Sequence, residues 1–345
     1  MSQKTEPTET HRFLQRSRCV SFGAVLCLTI LLGADFPVIG NPAPPLARNS
    51  PRVYDVTIRV NPRSSASRGW PYVEQTNWSY LSPTSFRITN QVNKDLPYTS
   101  EVIREQTKQW HVSIDAKEYQ VHFTETAFAS TLENDAANDI AWNTEWEEDI
   151  AFYIKPSLYV RSSDPLFSKI VSNTINKETE GPNIAAKKLI RYCLQHTNSN
   201  GEFANDDAMR TTGLQIRGAK YALTSERQVS ATDALCACIA TLRAAGIPAR
   251  PVVGITDVSK NGSKLKQPKY VVWGEYALPN AGWVPFSPER MRGTVDNLNL
   301  NEAWEGLGSW RYLNRHVPIA INFDLYDAKG AVQEIQMQFR SSPSE

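Results

Sequence analysis

Two spacings of hydrophobic residues divide the chain. From Arg52 to about Ile154 apolar residues recur at every second position. Tyr54, Val56, Ile58 and Val60 alternate with Val53, Asp55, Thr57 and Arg59, which predicts a half-buried strand. Phe86 and Ile88 begin another. Trp110, Val112 and Ile114 alternate, and Tyr119, Val121 and Phe123 repeat the pattern beyond Asp115–Glu118, a hairpin signal. The region reads as an antiparallel, sandwich-like β domain. Further on, the period becomes 3.6. Asp164 followed by Pro165 predicts a helix start, with the helix running to about Thr174. A second helix from Pro182 carries Ala185, Leu189, Tyr192, Cys193 and His196 on one side.

The most informative stretch is Ser230 to Ile255. Ala231, Ala234, Leu235, Cys238, Ile239 and Leu242 fall on one helical face. Ser230 caps the start, and Asp233 sits where a capping box places its acid. Gly246 supplies the residue that tolerates positive φ past the last turn, and Pro248 blocks continuation. Pro251, Val252, Val253 and Ile255 read as a strand buried on both faces. Tyr270–Leu278 and Trp283–Phe286 predict a hairpin about Pro279-Asn280-Ala281-Gly282. Near the end, Val317, Ile319, Ile321, Phe323 and Leu325 alternate. Ile335, Met337 and Phe339 do the same after Asp327-Ala328-Lys329-Gly330, which predicts a closing hairpin. Between these hairpins Trp304, Leu307, Trp310 and Tyr312 are aromatic enough to plug a groove or cover a sheet face.

Composition adds little beyond size. With 345 residues the chain has room for two domains, and 41% hydrophobic with 21% charged residues is near the globular norm. A net charge of +1 gives no general pull toward nucleic acid or an anionic membrane. The N-terminus reads as an export signal. Arg12, Arg16 and Arg18 precede the apolar run Val20–Leu32, and Gly33-Ala34 supplies small residues for cleavage. The run is short for a membrane span and Asp35 closes it. An uncleaved anchor is the alternative, and both readings export the folded part. Leu26 stands where a lipobox ahead of Cys27 wants a small residue. The resulting division is a signal peptide at 1–34, a linker at 35–51, a β domain at 52–155, a core at 156–295 and a C-terminal aromatic segment with hairpin at 296–345.

Two blocks in the core carry a resemblance. Arg243-Ala244-Ala245-Gly246-Ile247-Pro248-Ala249-Arg250 is close to R-A-x-G-I-P-A-R. Trp273-Gly274-Glu275-Tyr276-Ala277-Leu278-Pro279, then Gly282-Trp283-Val284-Pro285-Phe286, is close to H-x-W-x-E-x-x-L-P followed by G-W-x-P-x-D-P. These blocks, with Arg217–Leu223 upstream, resemble the transglutaminase-like superfamily, a branch of the papain-like thiol enzymes, over roughly Pro156 to Pro288. The resemblance implies an α+β fold: a papain-like transglutaminase core, helix packed on an antiparallel sheet, preceded by an all-β sandwich-like domain. It also implies a Cys at the start of the central helix, a His opening the next strand and an Asp on the strand after. The Cys attacks as thiolate, the His moves the proton, and the Asp orients the imidazole. Counting from the matching blocks, those positions hold Ala231, Val271 and Ser287. The expected catalytic set is therefore degenerate. Tyr221, Asp233, Trp273 and Glu275 are expected to line the groove. No metal and no cofactor is expected, since the sequence holds no EF-hand pattern and no second Cys/His pair at zinc spacing.

Other candidate chemistry is sparse. Cys193 and His196 stand three apart on a predicted helix, close enough to touch, although a core Cys beside a terminal His is the favoured reading. Cys236 and Cys238 point to nearly opposite sides of one helix and suit no common metal. The acidic run Glu145, Glu147, Glu148 and Asp149 reads as a solvated loop. Asp257–Lys269, with four lysines, reads as a connecting loop or a lid. Three functions fit: an exported pseudoenzyme whose groove binds a peptide or cell-envelope partner, a thiol transamidase or peptidase with a displaced nucleophile (Cys236, or Cys193 with His196), or a structural envelope module plugged by its own aromatics. None of them takes nucleic acid as partner.

Overall fold

Strand β1 (Leu46–Val60) begins earlier than its alternation suggests. Ser50 takes a φ of 47°, and a bulge between Asn49 and Arg52 lets Pro51 sit inside the strand without breaking its ladder. The last residues of the expected linker are thus strand. The computed structural model describes residues 45–61, 69–104, 107–112, 118–143, 145–207, 210–214, 216–323 and 332–340. The signal-like segment 1–34 and the linker up to residue 44 lie outside them.

The first region contains β2 (Gly69–Val73), β3 (Ser79–Leu81), β4 (Arg87–Asn90), β5 (Tyr98–Arg104), β6 (Thr107–Val112) and β7 (Tyr119–Leu132). Two antiparallel sheets result. In one, β1 and β7 form the long centre, and β3 and β4 both pair with β7. In the other, β6 lies between β2 and β5. The predicted hairpin between the Trp110 and Tyr119 runs does not form, because β6 and β7 belong to different sheets. Each run buries one face, and placing them in separate layers lets those faces meet. Trp110 packs edge-on against Tyr119 at 5.4 Å, and Phe86 stacks on Tyr72 at 4.8 Å.

Short helices α1 (Asn134–Asn138) and α2 (Glu148–Ala151) lead to α3 (Pro165–Thr174) and α4 (Pro182–His196). Asp164 caps α3 by accepting from the Leu166 amide at 3.0 Å. A two-stranded ribbon, β8 (Asn205–Asp207) and β9 (Arg210–Leu214), precedes α5 (Ala219–Thr224) and the central helix α6 (Ala231–Ala244). The sequence pattern predicts one apolar face for α6. Instead every residue from Ala231 to Arg243 is buried. Helices α3, α4 and α5 surround it together with the core sheet. The helix ends as predicted: Gly246 has φ 81°, and Ile247 and Gly246 donate to the carbonyls of Leu242 and Arg243.

The core sheet is built from β10 (Ala249–Val258), β11 (Lys264–Leu278) and β12 (Gly282–Phe286), followed by α7 (Pro288–Met291) and the short pair β13 (Trp304–Glu305) and β14 (Gly308–Ser309). Strand β15 (His316–Ile321) completes the order β12-β11-β10-β15, all antiparallel. β10 is buried throughout, as its unbroken apolar run predicts. The stretch expected as a loop or lid, Asp257–Lys269, is mostly strand, with a tight turn about Gly262 joining β10 to β11. The last strand, β16 (Val332–Arg340), pairs with β1 rather than with β15. The predicted closing hairpin is therefore absent: the chain's end returns to the first sheet, where Ile335 and Met337 stand beside Ile58 and Val56. All described residues fall within one compact unit. Trp78 donates its indole N–H to the Trp283 carbonyl at 3.1 Å, linking the β-rich region to the core sheet.

Arg250 and Glu275 face each other on β10 and β11, 2% and 1% exposed. Two nitrogens of Arg250 reach the same Glu275 oxygen at 2.8 Å, and the guanidinium lies 4.0 Å over the Trp283 ring. Removing one partner strands the other charge in the core. Glu275→Ala is expected to cost about 3–5 kcal/mol in urea unfolding, whereas Arg250→Met with Glu275→Leu recovers most of that loss. Equal destabilisation by the single and double variants contradicts the assignment.

Candidate functional site

One cleft lies beside the start of α6. It has a volume of about 80 Å³, and its lining includes Ala231, Val271, Ser287, Trp310 and His316. The three positions counted from the sequence blocks thus meet at one place. Each is set there by its own element. Ala231 is the first residue of α6, fixed by the Ser230 cap and by a hydrogen bond that its amide donates to the Glu202 carbonyl at 2.8 Å. Val271 stands on β11 opposite Gly254. A side chain at 254 would collide with the Trp273 ring, so only glycine lets that ring pack behind the cleft. Ser287 follows β12 and leads into α7, its amide donating to the Gly306 carbonyl at 2.8 Å.

His316 and Trp310 were not singled out for chemistry by spacing. His316 opens β15 beside Thr256 of β10. Its Nδ1 lies 2.8 Å from the Tyr312 carbonyl. A carbonyl only accepts, so Nδ1 carries the proton and Nε2 the lone pair. The ring packs edge-on against Trp310 at 4.8 Å and Trp273 at 5.8 Å. Burial lowers its pKa to about 4, so the imidazole is neutral at pH 7. Both residues reach the cleft through the C-terminal segment, far from the motif blocks; the aromatic run there points to Trp310 as a groove plug, while no local pattern announces His316.

The groove residues expected from the resemblance have other places, and none lines this cleft. Asp233 is buried, with one oxygen accepting from the amides of Arg217 and Gly218 at 2.8 Å and the other from the Ser230 hydroxyl at 2.8 Å. Glu275 belongs to the ion pair with Arg250. Trp273 is buried behind Trp310 and His316. Tyr221 sits on α5 with the Arg217 guanidinium 4.9 Å over its ring. Trp304, a plug candidate, is turned to α4 instead, with Arg191 5.0 Å and Lys187 5.5 Å from its ring.

The described thiols lie elsewhere. Cys193, Cys236 and Cys238 are all fully buried. Cys193 meets the Thr241 hydroxyl at 3.3 Å. Hydrogen bonding with Cys193 and burial push the Cys238 thiol well above its usual range. The suggested Cys193–His196 pair is not formed: the His196 ring stacks on Tyr192 at 3.9 Å and its Nδ1 meets the Tyr192 carbonyl at 2.8 Å. Thiolate chemistry needs an accessible, low-pKa sulfur, and none of the cleft-lining residues is a cysteine.

Residues 170–288 match the model of the Transglutaminase-like superfamily. No curated protein matches the chain significantly. Among solved structures, a candidate cysteine protease from Cytophaga hutchinsonii aligns with a TM-score of 0.58 at 13% identity, covering 87% of this chain and 94% of that one. The periplasmic domain of TgpA from Pseudomonas aeruginosa aligns at 14% identity over 72% of this chain and 93% of its own, with a TM-score of only 0.34. Residues 170–288 are thus similar to a transglutaminase-like core, within an α+β fold that has a β-rich region ahead of them.

A pH test follows from His316. Its folded pKa, about 4, lies below the ordinary value of 6.5, so the unfolded chain binds the extra proton first. Its stabilising contribution is present above pH 6.5 and is lost as pH falls toward 4, to a limit of about 3 kcal/mol. Unfolding measured from pH 7 to 4 is expected to show a shallower loss of stability in His316→Gln. An unchanged slope contradicts a neutral buried imidazole.

Proposed function

We propose that this is an exported pseudoenzyme: a transglutaminase-like domain whose cleft has lost thiol chemistry and engages a peptide or cell-envelope partner instead. The observation that supports it is the meeting of Ala231, Val271 and Ser287 in one cleft, with every described cysteine fully buried. A methyl at the helix start, an isopropyl on β11 and an uncharged hydroxyl after β12 transfer no proton to or from a sulfur. They leave a small slot with an apolar floor and a neutral acceptor at His316. A volume of about 80 Å³ admits one short side chain of a bound peptide, far below the size of a small-molecule pocket. Export rests on the basic and apolar N-terminal pattern.

A second reading has its own observation. Trp310 is 2% exposed and forms part of the cleft wall, which favours a structural envelope module partly plugged by its own chain. Trp310→Ala separates the two: a binding cleft gains or loses peptide affinity, while a plug loses only stability. The displaced-nucleophile reading receives no support from the places of Cys193, Cys236 and Cys238.

The direct test is turnover. Purified protein is expected to give no amide hydrolysis and no amine incorporation into glutamine peptides, and no labelling by serine-directed phosphonates at Ser287. Ala231→Cys with Val271→His and Ser287→Asp is expected to recover little activity, because the supporting contacts are built around Trp310 and His316. Thiol-sensitive turnover by the natural chain sinks the proposal.

A further inference from the structure

The roomier recess lies away from the cleft, where the end of the first sheet meets the turn that feeds β15. It has a volume of about 360 Å³, and Arg52, Arg311, Arg315, Tyr312, Asn314 and Phe339 line it. It shares no lining residue with the cleft. Its walls contain three guanidinium groups and no carboxylate.

The three arginines are not equivalent. Arg315 is neutralised by Asp257 through two bonds of 3.0 and 2.9 Å. Arg311 is 70% exposed and approaches Glu305 only at 4.0 Å, a carboxylate already paired with Arg290 at 2.9 Å. Arg52 has no ion-pair partner among the described residues. Two positive charges are thus left without full compensation. Both are held in place by rings: Arg52 lies 4.8 Å over Phe339, and Arg311 lies 4.7 Å over Tyr312. Tyr312 has Arg290 over its ring as well, at 4.8 Å. Phe339 stays 49% exposed, with its ring tilted against Tyr54 at 6.0 Å, so one face is open to the recess. Asn314 ties the floor by donating to the Ser50 carbonyl at 2.7 Å.

We propose that this recess binds a phosphate group, as a free dianion or as a phosphomonoester. A guanidinium presents a planar fork of donors that matches two oxygens of a tetrahedral oxyanion. Stacking on an aromatic face restricts each fork before binding, which lowers the ordering cost of capture. Two incompletely compensated positive charges match a dianion better than a carboxylate. The volume falls within the range of small-ligand sites and leaves space beyond one phosphate for the group that carries it.

The test uses the full chain, with calorimetric titration of inorganic phosphate, glycerol phosphate and acetate at constant ionic strength. Either phosphate ligand is expected to bind more tightly than acetate, and the two arms show whether the free or the esterified group is preferred. Arg52→Gln and Arg311→Gln are each expected to weaken phosphate binding about tenfold or more. Arg311→Lys, which keeps the charge but not the fork, falls between. Arg311 is exposed, so its variants keep the fold, which the thermal transition verifies. Acetate binding as tightly as phosphate, or both glutamine variants binding like the natural chain, overturns the proposal.

Discussion

Helix α6 has no face left for solvent, and that single constraint shapes the rest of the molecule. A helix enclosed on all sides needs small residues so that its neighbours can approach. It has them at Ala231, Ala234, Ala237, Ala240 and the two cysteines. Its only acid, Asp233, survives burial because three donors serve its carboxylate: the Ser230 hydroxyl and the amides of Arg217 and Gly218. Those bonds also fix where α5 begins. At the far end Arg243 donates to the carbonyls of Ala249 and Lys155, so the turn into β10 is held as firmly as the helix start.

Enclosure decides the chemistry. The start of α6 still presents the positive end of a helix dipole to the cleft, but the residue there is alanine. The sulfurs that remain are deeper in the same helix or beside it on α4, where neighbours bury them completely. A neutral imidazole and an indole from the last third of the chain fill the space on the other side. The described lining of this slot includes the Ser287 hydroxyl and the His316 imidazole, and no cysteine.

Much of this could be read in the sequence, because much of it is local. The Asp164 and Ser230 caps, the Gly246 stop, the buried β10 and the β11–β12 hairpin all depend on residues within a few positions of one another. Long-range pairing was harder to see. The alternations at Trp110 and Tyr119, and at Val317 and Ile335, each look like the two arms of a hairpin, since alternation reports a buried face and not a partner. Both pairs separate into different sheets. Asp233 and Glu275 are both expected at the groove, yet Asp233 is spent on the capping bonds its position predicts and on the α5 amides, and Glu275 on Arg250. His316 reaches the cleft through strand pairing with β10, which no spacing rule displays.

The account turns on whether any thiol of the folded chain can act. Native protein treated with iodoacetamide at neutral pH, and followed by mass spectrometry of each cysteine-containing peptide, measures this directly. The account predicts that Cys193, Cys236 and Cys238 stay unmodified until the chain is unfolded and then react together. Rapid alkylation of any one of them in the folded protein contradicts it.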